Sequence, residues 1–380
     1  MKHIKAFIKK ETVLSVALLL AILSMLFIKP SPSYLEYINF RVLAILLGLM
    51  VVMEGLRSLL VFDRIAKAMI GKVKNSMQIS LILVLLCFFF SMIITNDVAL
   101  ITFVPLALTA LAMADARKLV IPVVTLQTLA ANLGSMLTPI GNPQNLYLYD
   151  VMGIGLGDFL LLMLPLTATS GILLLLCTLL LTGRNKQPIV ATEEAVEAAT
   201  KRNPKKVMLI GFYLLLFFVN LLVVADVLRY SYALVFTLFA VFLMDRKTLW
   251  HVDYSLLLTF VAFFIFVGNM EKIDGISVYL ASHLKGQELL TGVLFSQIIS
   301  NVPAAILLSG FTDRYQALLY GVDLGGLGTL IASMASLISY KCVAREYQDK
   351  KGQYLIYFTI ASVVFLIPLY ALGIYLLNQV

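Results

Sequence analysis

Apolar runs dominate the chain, and charged residues fall between them in short clusters. Runs near residues 13–28, 40–55, 119–149, 159–182, 207–225, 230–244, 254–270, 315–340 and 354–377 are bounded by Lys, Arg, Asp or Glu. A helix needs about 20 apolar residues to cross a bilayer, so these runs predict nine crossings. Two further apolar tracts, 76–113 and 289–312, are interrupted midway by Thr95-Asn96-Asp97 and Ser300-Asn301-Val302. Basic residues concentrate on the cytoplasmic side of a membrane protein. Lys72 and Lys74 precede the first interrupted tract and Arg117 and Lys118 follow it, so the tract enters from the inside and turns back. The second is bordered by Lys272, Lys285 and Arg314 mixed with Glu271, Asp274, Glu288 and Asp313, and predicts a re-entrant hairpin from the outside. This topology puts the N-terminus inside and the C-terminus outside. Of the basic residues, only Lys29, Arg41, Arg229, Lys272, Lys285 and Arg314 then face outward.

The tract 119–149 carries no charged residue and exceeds one crossing by roughly ten residues. Gly134, Pro139, Gly141 and Pro143 weaken a helix there, by roughly 1 kcal/mol per Gly and 3 per Pro. Asn132, Ser135, Thr138, Asn142, Gln144 and Asn145 add polar groups, so a helix broken by a polar loop is expected. The tract 315–340, with Gly321, Gly325, Gly326 and Gly328 followed by Thr329, Ser333 and Ser336, predicts a second break. Leu133-Gly134-Ser135-Met136-Leu137 aligns with Leu327-Gly328-Thr329-Leu330-Ile331, Ile140-Gly141-Asn142 with Met334-Ala335-Ser336, and Thr95-Asn96 with Ser300-Asn301. The order hairpin, broken helix, final span thus occurs twice, in opposite orientations. That is the inverted repeat of many secondary transporters. The expected fold is an all-α polytopic membrane protein with repeats over 1–182 and 207–380. Residues 183–206, including Arg184, Lys186, Glu193, Glu194, Glu197, Lys201 and Arg202, join them as a cytoplasmic linker.

Composition agrees: 61% of residues are apolar and 13% charged, where a soluble domain carries about 25% charged residues. A water-soluble globule is excluded. The net charge of +8 lies in loops rather than on a stripe with interleaved aromatics, which argues for topology and against nucleic acid. Cys87, Cys177 and Cys342, like His3, His251 and His283, are too dispersed for a disulfide framework or a metal centre. Lys2, Lys5, Lys9 and Lys10 precede an apolar run with no small-residue cleavage site before Lys29-Pro30, so the run reads as a first span rather than a signal peptide. The sequence contains no GxxxxGK loop to suggest an ATP-driven pump, and no Ser/Lys pair, His cluster or paired carboxylates to suggest an enzyme.

Brought together, the two hairpin tips and the two break loops would surround a site near the bilayer midplane with carbonyls, amides, hydroxyls and helix ends, a setting suited to ions. Asn96 and Asn301 are therefore ligand candidates; the alternative is interhelical hydrogen bonding. An ionised carboxylate at that depth costs about 3 kcal/mol or more unless partnered, which makes Asp97 a functional candidate or a helix N-cap. Asp323 reads either as functional or as part of a helix C-terminal turn, and Glu54 as an interfacial partner of Arg57. A channel is the reading from another class. It would need a continuous polar file, whereas the polar residues here gather at the apices.

Thr95-Asn96-Asp97, Pro105, and Asn132-Leu133-Gly134-Ser135 running into Thr138-Pro139-Ile140-Gly141-Asn142-Pro143-Gln144-Asn145 resemble the ion transporter superfamily. That superfamily includes arsenite pumps, citrate/metal carriers, dicarboxylate/sodium symporters and one group of sodium/proton antiporters. Within it the chain is most similar to small bacterial anion permeases of the citrate-transporter-like or arsenical-pump-like kind. The resemblance implies a multi-pass protein of the bacterial inner membrane, a homodimer, and elevator-type secondary transport of a small anion or oxyanion coupled to sodium or protons. Arsenite efflux and sodium/proton antiport are the alternatives within transport. By position, the resemblance implies one cation site at Thr95, Asn96, Gly141 and Asn142 and another at Ser300, Asn301, Ala335 and Ser336. It implies substrate contacts at Asn96, Thr138, Pro139, Asn142, Asn145, Asn301 and Thr329, no cofactor beyond a coupling Na+, and no metal site. Relatives hold a substrate carboxylate through a third-position Thr at each tip; here Asp97 and Val302 stand instead. An anion beside Asp97 then requires a protonated carboxyl and hence proton coupling, a neutral substrate such as arsenous acid, or a screening cation.

Overall fold

The protein is described by a computed structural model over residues 11–71, 73, 75–183 and 204–379. Most of the expected linker, 184–203, lies outside the described residues, as do Lys2, Lys5, Lys9, Lys10, Lys72 and Lys74. The described chain is all helix and connections, with no strand. Its first half contains α1 (Thr12–Ser24), α2 (Tyr34–Tyr37), α3 (Phe40–Ser58), α4 (Val61–Ile70), α5 (Ser76–Phe90), α6 (Asn96–Met113), α7 (Val120–Ser135), α8 (Pro143–Met152) and α9 (Leu156–Thr182). The second half contains α10 (Pro204–Val224), α11 (Tyr230–Leu249), α12 (Tyr254–Glu271), α13 (Asp274–Leu284), α14 (Glu288–Ile299), α15 (Asn301–Ser309), α16 (Tyr315–Leu324), α17 (Met334–Glu346) and α18 (Lys351–Leu377).

Five helices among the described residues are long and apolar enough to cross a membrane: α6, α9, α10, α12, and α18 with the short turn before it. A sixth crossing results if α3 and α4, bent by 52° at their junction, count as one span. The surface is inverted relative to a soluble protein. Leu180, Ile298 and Phe239 are exposed, while Asn132, Gln127, Ser135, Asn145 and Ser339 are buried. Apolar side chains turned outward are stable only against lipid, and polar groups turned inward must find partners.

Both expected breaks are present. α7 stops at Ser135 and α8 starts at Pro143, with Asn142 as N-cap accepting from the Asn145 N–H at 2.9 Å. Pro at the first helical position lacks only an N–H that would have had no helical partner. In the second half α16 stops at Leu324 and α17 starts after Ser333. Each interrupted tract is likewise two helices, α5 and α6 joined through 91–95, and α14 and α15 joined at Ser300. α6 alone has the length of a crossing, so the first tract has one long arm.

The halves interlock. α8, the second piece of the first broken helix, packs on α15 and α16 of the second half, while α17 packs on α6 and α7 of the first. α14 and α16 approach so closely that a Cβ on Gly292 would meet the Gly321 backbone at 2.9 Å. Around this centre, α3 packs against α10 and α11, and α1 against α12. One edge is tied by Arg41, which pairs with Asp150 at 2.9 Å and with Asp226, while Asn39 donates to Asp150 at 2.6 Å. Arg41 begins α3, Asp150 ends α8 and Asp226 follows α10, so the cluster joins the broken helix to its flanking helices.

Candidate functional site

The tips and the break loops meet. At the first tip the Asn96 backbone N–H donates to the Gly141 carbonyl at 3.1 Å. At the second, the Asn301 N–H donates to the Ala332 carbonyl at 3.0 Å. The two side chains also repeat a local bond, each Asn Oδ1 accepting from the next backbone N–H, that of Asp97 at 2.9 Å and that of Val302 at 3.0 Å. Both amides therefore serve their own helix N-termini, where the first N–H groups have no helical partner.

Asn132, on α7, joins the centres. Its Oδ1 accepts from Asn96 Nδ2 at 3.2 Å and from the Ser333 hydroxyl at 3.0 Å. Its Nδ2 donates to the Ser336 hydroxyl at 3.2 Å and to the Gly326 carbonyl at 3.4 Å. Gly326 in turn lies beside Asn301, whose Nδ2 would sit 3.3 Å from a Cβ there. One buried amide thus links the first tip to the second break. Asn132 falls within the motif that carries the family resemblance, yet its role as a hub follows from a partner in the other half that no spacing reveals.

Other expected site residues are placed differently. Ala335 is buried in the first turn of α17, and it is the Ala332 carbonyl that accepts from the Asn301 N–H, because α16 ends at Leu324 and α17 starts at Met334, both earlier than the alignment with the first broken helix implies. The Thr138 hydroxyl donates to the Met92 carbonyl at 2.5 Å and Asn145 Nδ2 donates to the Met136 carbonyl at 3.0 Å, so both hold the first loop. Thr329 is exposed, its N–H bonded to Gln297 Oε1 at 2.9 Å. Gln297 Nε2 donates to the Gly325 carbonyl at 2.8 Å and the Leu327 carbonyl at 3.0 Å, making it the brace of the second loop. Its only sequence signal is a Gln inside an apolar tract. Ser300 joins α14 to α15 with φ 76° and ψ 154°, a left-handed conformation that costs a non-glycine residue on the order of 1–3 kcal/mol.

Asp97 is not a helix cap: the N-cap is Thr95, which makes no side-chain cap bond, and Asp97 lies in the first turn of α6. Asp97 lines a cavity of about 340 Å³ whose lining also includes Thr95, Pro139 and Asn142. Two helical stripes line the walls: Leu46, Leu49, Met50 and Met53 from α3, and Met334, Leu337 and Ile338 from α17. Farther along the same stripes come Glu54 with Arg57, and Lys341; His251 and Asp253 also line the cavity. Glu54 and Arg57 pair at 2.8 Å as expected, and Asp253 caps α12 through the Ser255 N–H at 3.0 Å. Lys341 and His251 carry no signal in their sequence neighbourhood that points to the cavity.

The described residues contain no group of three or more His, Cys, Asp or Glu side chains able to hold a metal ion. The oxygen-rich tips and loops suit a hard monovalent cation or a polar solute. Residues 7–313 match the citrate transporter family. An uncharacterized transporter of Methanocaldococcus jannaschii is 34% identical over 337 residues, covering 86% of this chain and 87% of its own. The inner membrane protein YbiR of Escherichia coli is 31% identical and covers 81% of each chain. A 46 kDa membrane protein of Mycobacterium leprae is 27% identical, covering 79% of this chain and 78% of its own. The chain belongs to the citrate transporter family of the ion transporter superfamily and is a multi-pass membrane transporter.

Proposed function

We propose that the protein is a secondary active transporter of a small anion or oxyanion, coupled to sodium or protons, in which hairpins and broken helices move together as an elevator. The observation that carries this reading is the matched seating of the tips: Asn96 N–H on Gly141 and Asn301 N–H on Ala332, converging on Asn132. Each tip thereby surrounds a midplane position with backbone carbonyls and amide oxygens, and the interlock of α8 and α17 across the halves ties the moving parts into one unit. An inverted repeat over 1–182 and 207–380, with nine crossings and two re-entrant hairpins, accounts for this exchange of partners. α14 and α15 are about 18 and 14 Å long at 1.5 Å per residue, too short for a core of about 30 Å.

The topology with the N-terminus inside and the C-terminus outside makes a consistent picture of the cavity. Arg57, His251 and Lys341, in its lining, all belong to segments assigned to the cytoplasm. Arg41, Asp150 and Asp226, paired at the opposite edge, belong to segments assigned to the outside. The conformation is then inward-open with its outer side tied shut. Asp97, in the lining, is the proton-coupling group of this reading.

The test is thermal stabilisation of the purified protein by carboxylates, oxyanions and monovalent cations, because a ligand of the folded state raises stability by mass action, followed by uptake of each stabilising anion into vesicles. Asn96→Ala and Asn301→Ala should each abolish uptake while folded protein remains in the membrane. Normal uptake by both would leave only interhelical hydrogen bonding. Asp97→Asn should retain exchange and lose proton-driven accumulation; unchanged proton coupling would remove Asp97 from the mechanism.

A further inference from the structure

The cavity that reaches the first tip has apolar walls and a charged end. Fifteen of its 23 described lining residues are apolar, so a solute inside loses water along most of its length. On α17 the lining runs from Met334 through Leu337 and Ile338 to Lys341, a rise of about 10 Å at 1.5 Å per residue. On α3 the stripe from Leu46 to Met53 rises by a similar amount before it meets Glu54 and Arg57. The cavity's volume of about 340 Å³ suits a small molecule, at the low end of the usual range of about 300–1,000 Å³. Only one tip opens onto it. Thr95 and Asp97 belong to the lining, whereas no described lining residue comes from the second tip, where Ser300, Asn301 and Val302 are buried.

The charges in the lining limit what such a solute can carry. Glu54 and Arg57 neutralise each other at 2.8 Å. Asp253 caps the N-terminus of α12 through the Ser255 N–H at 3.0 Å, where the helix dipole offsets part of its charge. His251, bonded through Nδ1 to the Lys247 carbonyl, adds no charge in its neutral form. Lys341 has no ion-pair partner among the described residues. With Asp97 carrying the proton of the coupled reading, Lys341 is the one cation left for a substrate carboxylate. A second or third carboxylate would enter beside Asp253 with its desolvation uncompensated.

We propose that the substrate is an organic monoanion, a single carboxylate on a short apolar body, with the carboxylate held by Lys341 and the body lying along the α3 and α17 stripes. This rests on the reading of the chain as a proton-coupled anion transporter, and it narrows that reading away from inorganic oxyanions and from di- and tricarboxylates. Because α17 packs on α6 and α7, Lys341 moves with the first tip in the elevator and accompanies its substrate.

The experiment follows the thermal midpoint of the full chain in nanodiscs, in mildly acidic buffer at constant ionic strength, against rising concentrations of acetate, butanoate and hexanoate. Hexanamide, succinate, citrate, arsenate and leucine are the comparisons. The half-saturating concentration should fall by about threefold for each added methylene, the gain expected from burying a CH2 group, and hexanamide should bind at least about tenfold more weakly than hexanoate. Lys341→Gln should erase the preference for hexanoate over hexanamide and keep the chain-length trend. Leu337→Asn should flatten the trend and keep the preference, and Met50→Gln makes the same prediction should that variant not fold. A merely structural role would weaken every ligand alike and overturn the assignment. Equal binding of hexanoate and hexanamide by the wild type, or tighter binding of leucine, would also overturn it. Tighter binding of succinate, citrate or arsenate would sink the monoanion and leave anion transport standing, whereas no rise with any anion would sink both.

Discussion

The two break loops solve one problem in different ways. Each must expose backbone polar groups deep in the protein without leaving them unpaired. The first, 136–142, is held from inside its own broken helix by Asn145, with Thr138 reaching to the Met92 carbonyl. The second, 325–333, is held from outside by Gln297, which comes from the first arm of the adjacent hairpin. The connections differ too: five residues, 91–95, turn the first tip, whereas Ser300 alone turns the second in a strained conformation. The lesson is that a similar sequence pattern fixes where the backbone must break and leaves open which side chain satisfies it. It also makes the second hairpin and its loop one mechanical piece, because removing Gln297 frees both.

The comparison would be broken most severely at Asn132, where both regions meet. Asn132→Leu strands Asn96, Ser333 and Ser336 together. At about 1–3 kcal/mol per unsatisfied buried group, it should abolish uptake and lower the thermal midpoint more than any other single change proposed for these loops. Near-normal uptake by folded Asn132→Leu would show that the halves couple elsewhere.

Gln297→Leu and Asn145→Leu sharpen the contrast. Each should destabilise by roughly 2–4 kcal/mol, since each leaves loop carbonyls unpaired. Hydrogen exchange should accelerate at 325–329 in the first variant and at 135–138 in the second. Acceleration of both loops in both variants would mean that they open as one unit.

The base of the second hairpin offers an intermediate effect. Glu288 is 1% exposed and accepts from the Gly286 N–H at 3.0 Å, the Thr312 hydroxyl at 3.2 Å and Arg314 at 3.4 Å. Glu288→Ala should cost about 1.5–3 kcal/mol in unfolding experiments, the range for hydrogen bonds to a charged group. A neutral result would put the hairpin's anchorage entirely in its apolar faces.

The smallest effect is expected at the strained tip. Ser300→Gly should raise stability by about 1 kcal/mol, because glycine adopts positive φ without a Cβ clash. A fall in stability would mean that the Ser300 hydroxyl, 3.4 Å from the Ala332 carbonyl, matters more than the backbone strain.

Much of the architecture was legible because it follows from local rules. Pro139 and Gly141, clustered with polar residues, fall in the connection between α7 and α8, and Asn142 followed by Pro143 starts the new helix. The Glu54 and Arg57 pair is one helical turn apart and needed no tertiary information. By contrast, aligning Ile140-Gly141-Asn142 with Met334-Ala335-Ser336 put Ala335 opposite Asn301. Where the two helices end, and so the register, is set by packing, and the structure puts Ala332 there.

From its order of residues alone the chain specifies a membrane transporter with interrupted helices, because apolar runs must leave water and a cluster of Gly, Pro and polar residues inside one interrupts its helix. Only the tertiary structure decides which polar side chains cooperate. Asn132 and Ser336 are separated by 204 positions in sequence yet lie 3.2 Å apart. Asp323 and Gln144 are 179 positions apart at 3.1 Å. A buried polar group announces itself by its position in an apolar run, but its partner is chosen by packing across the two halves, and that choice has no local signature.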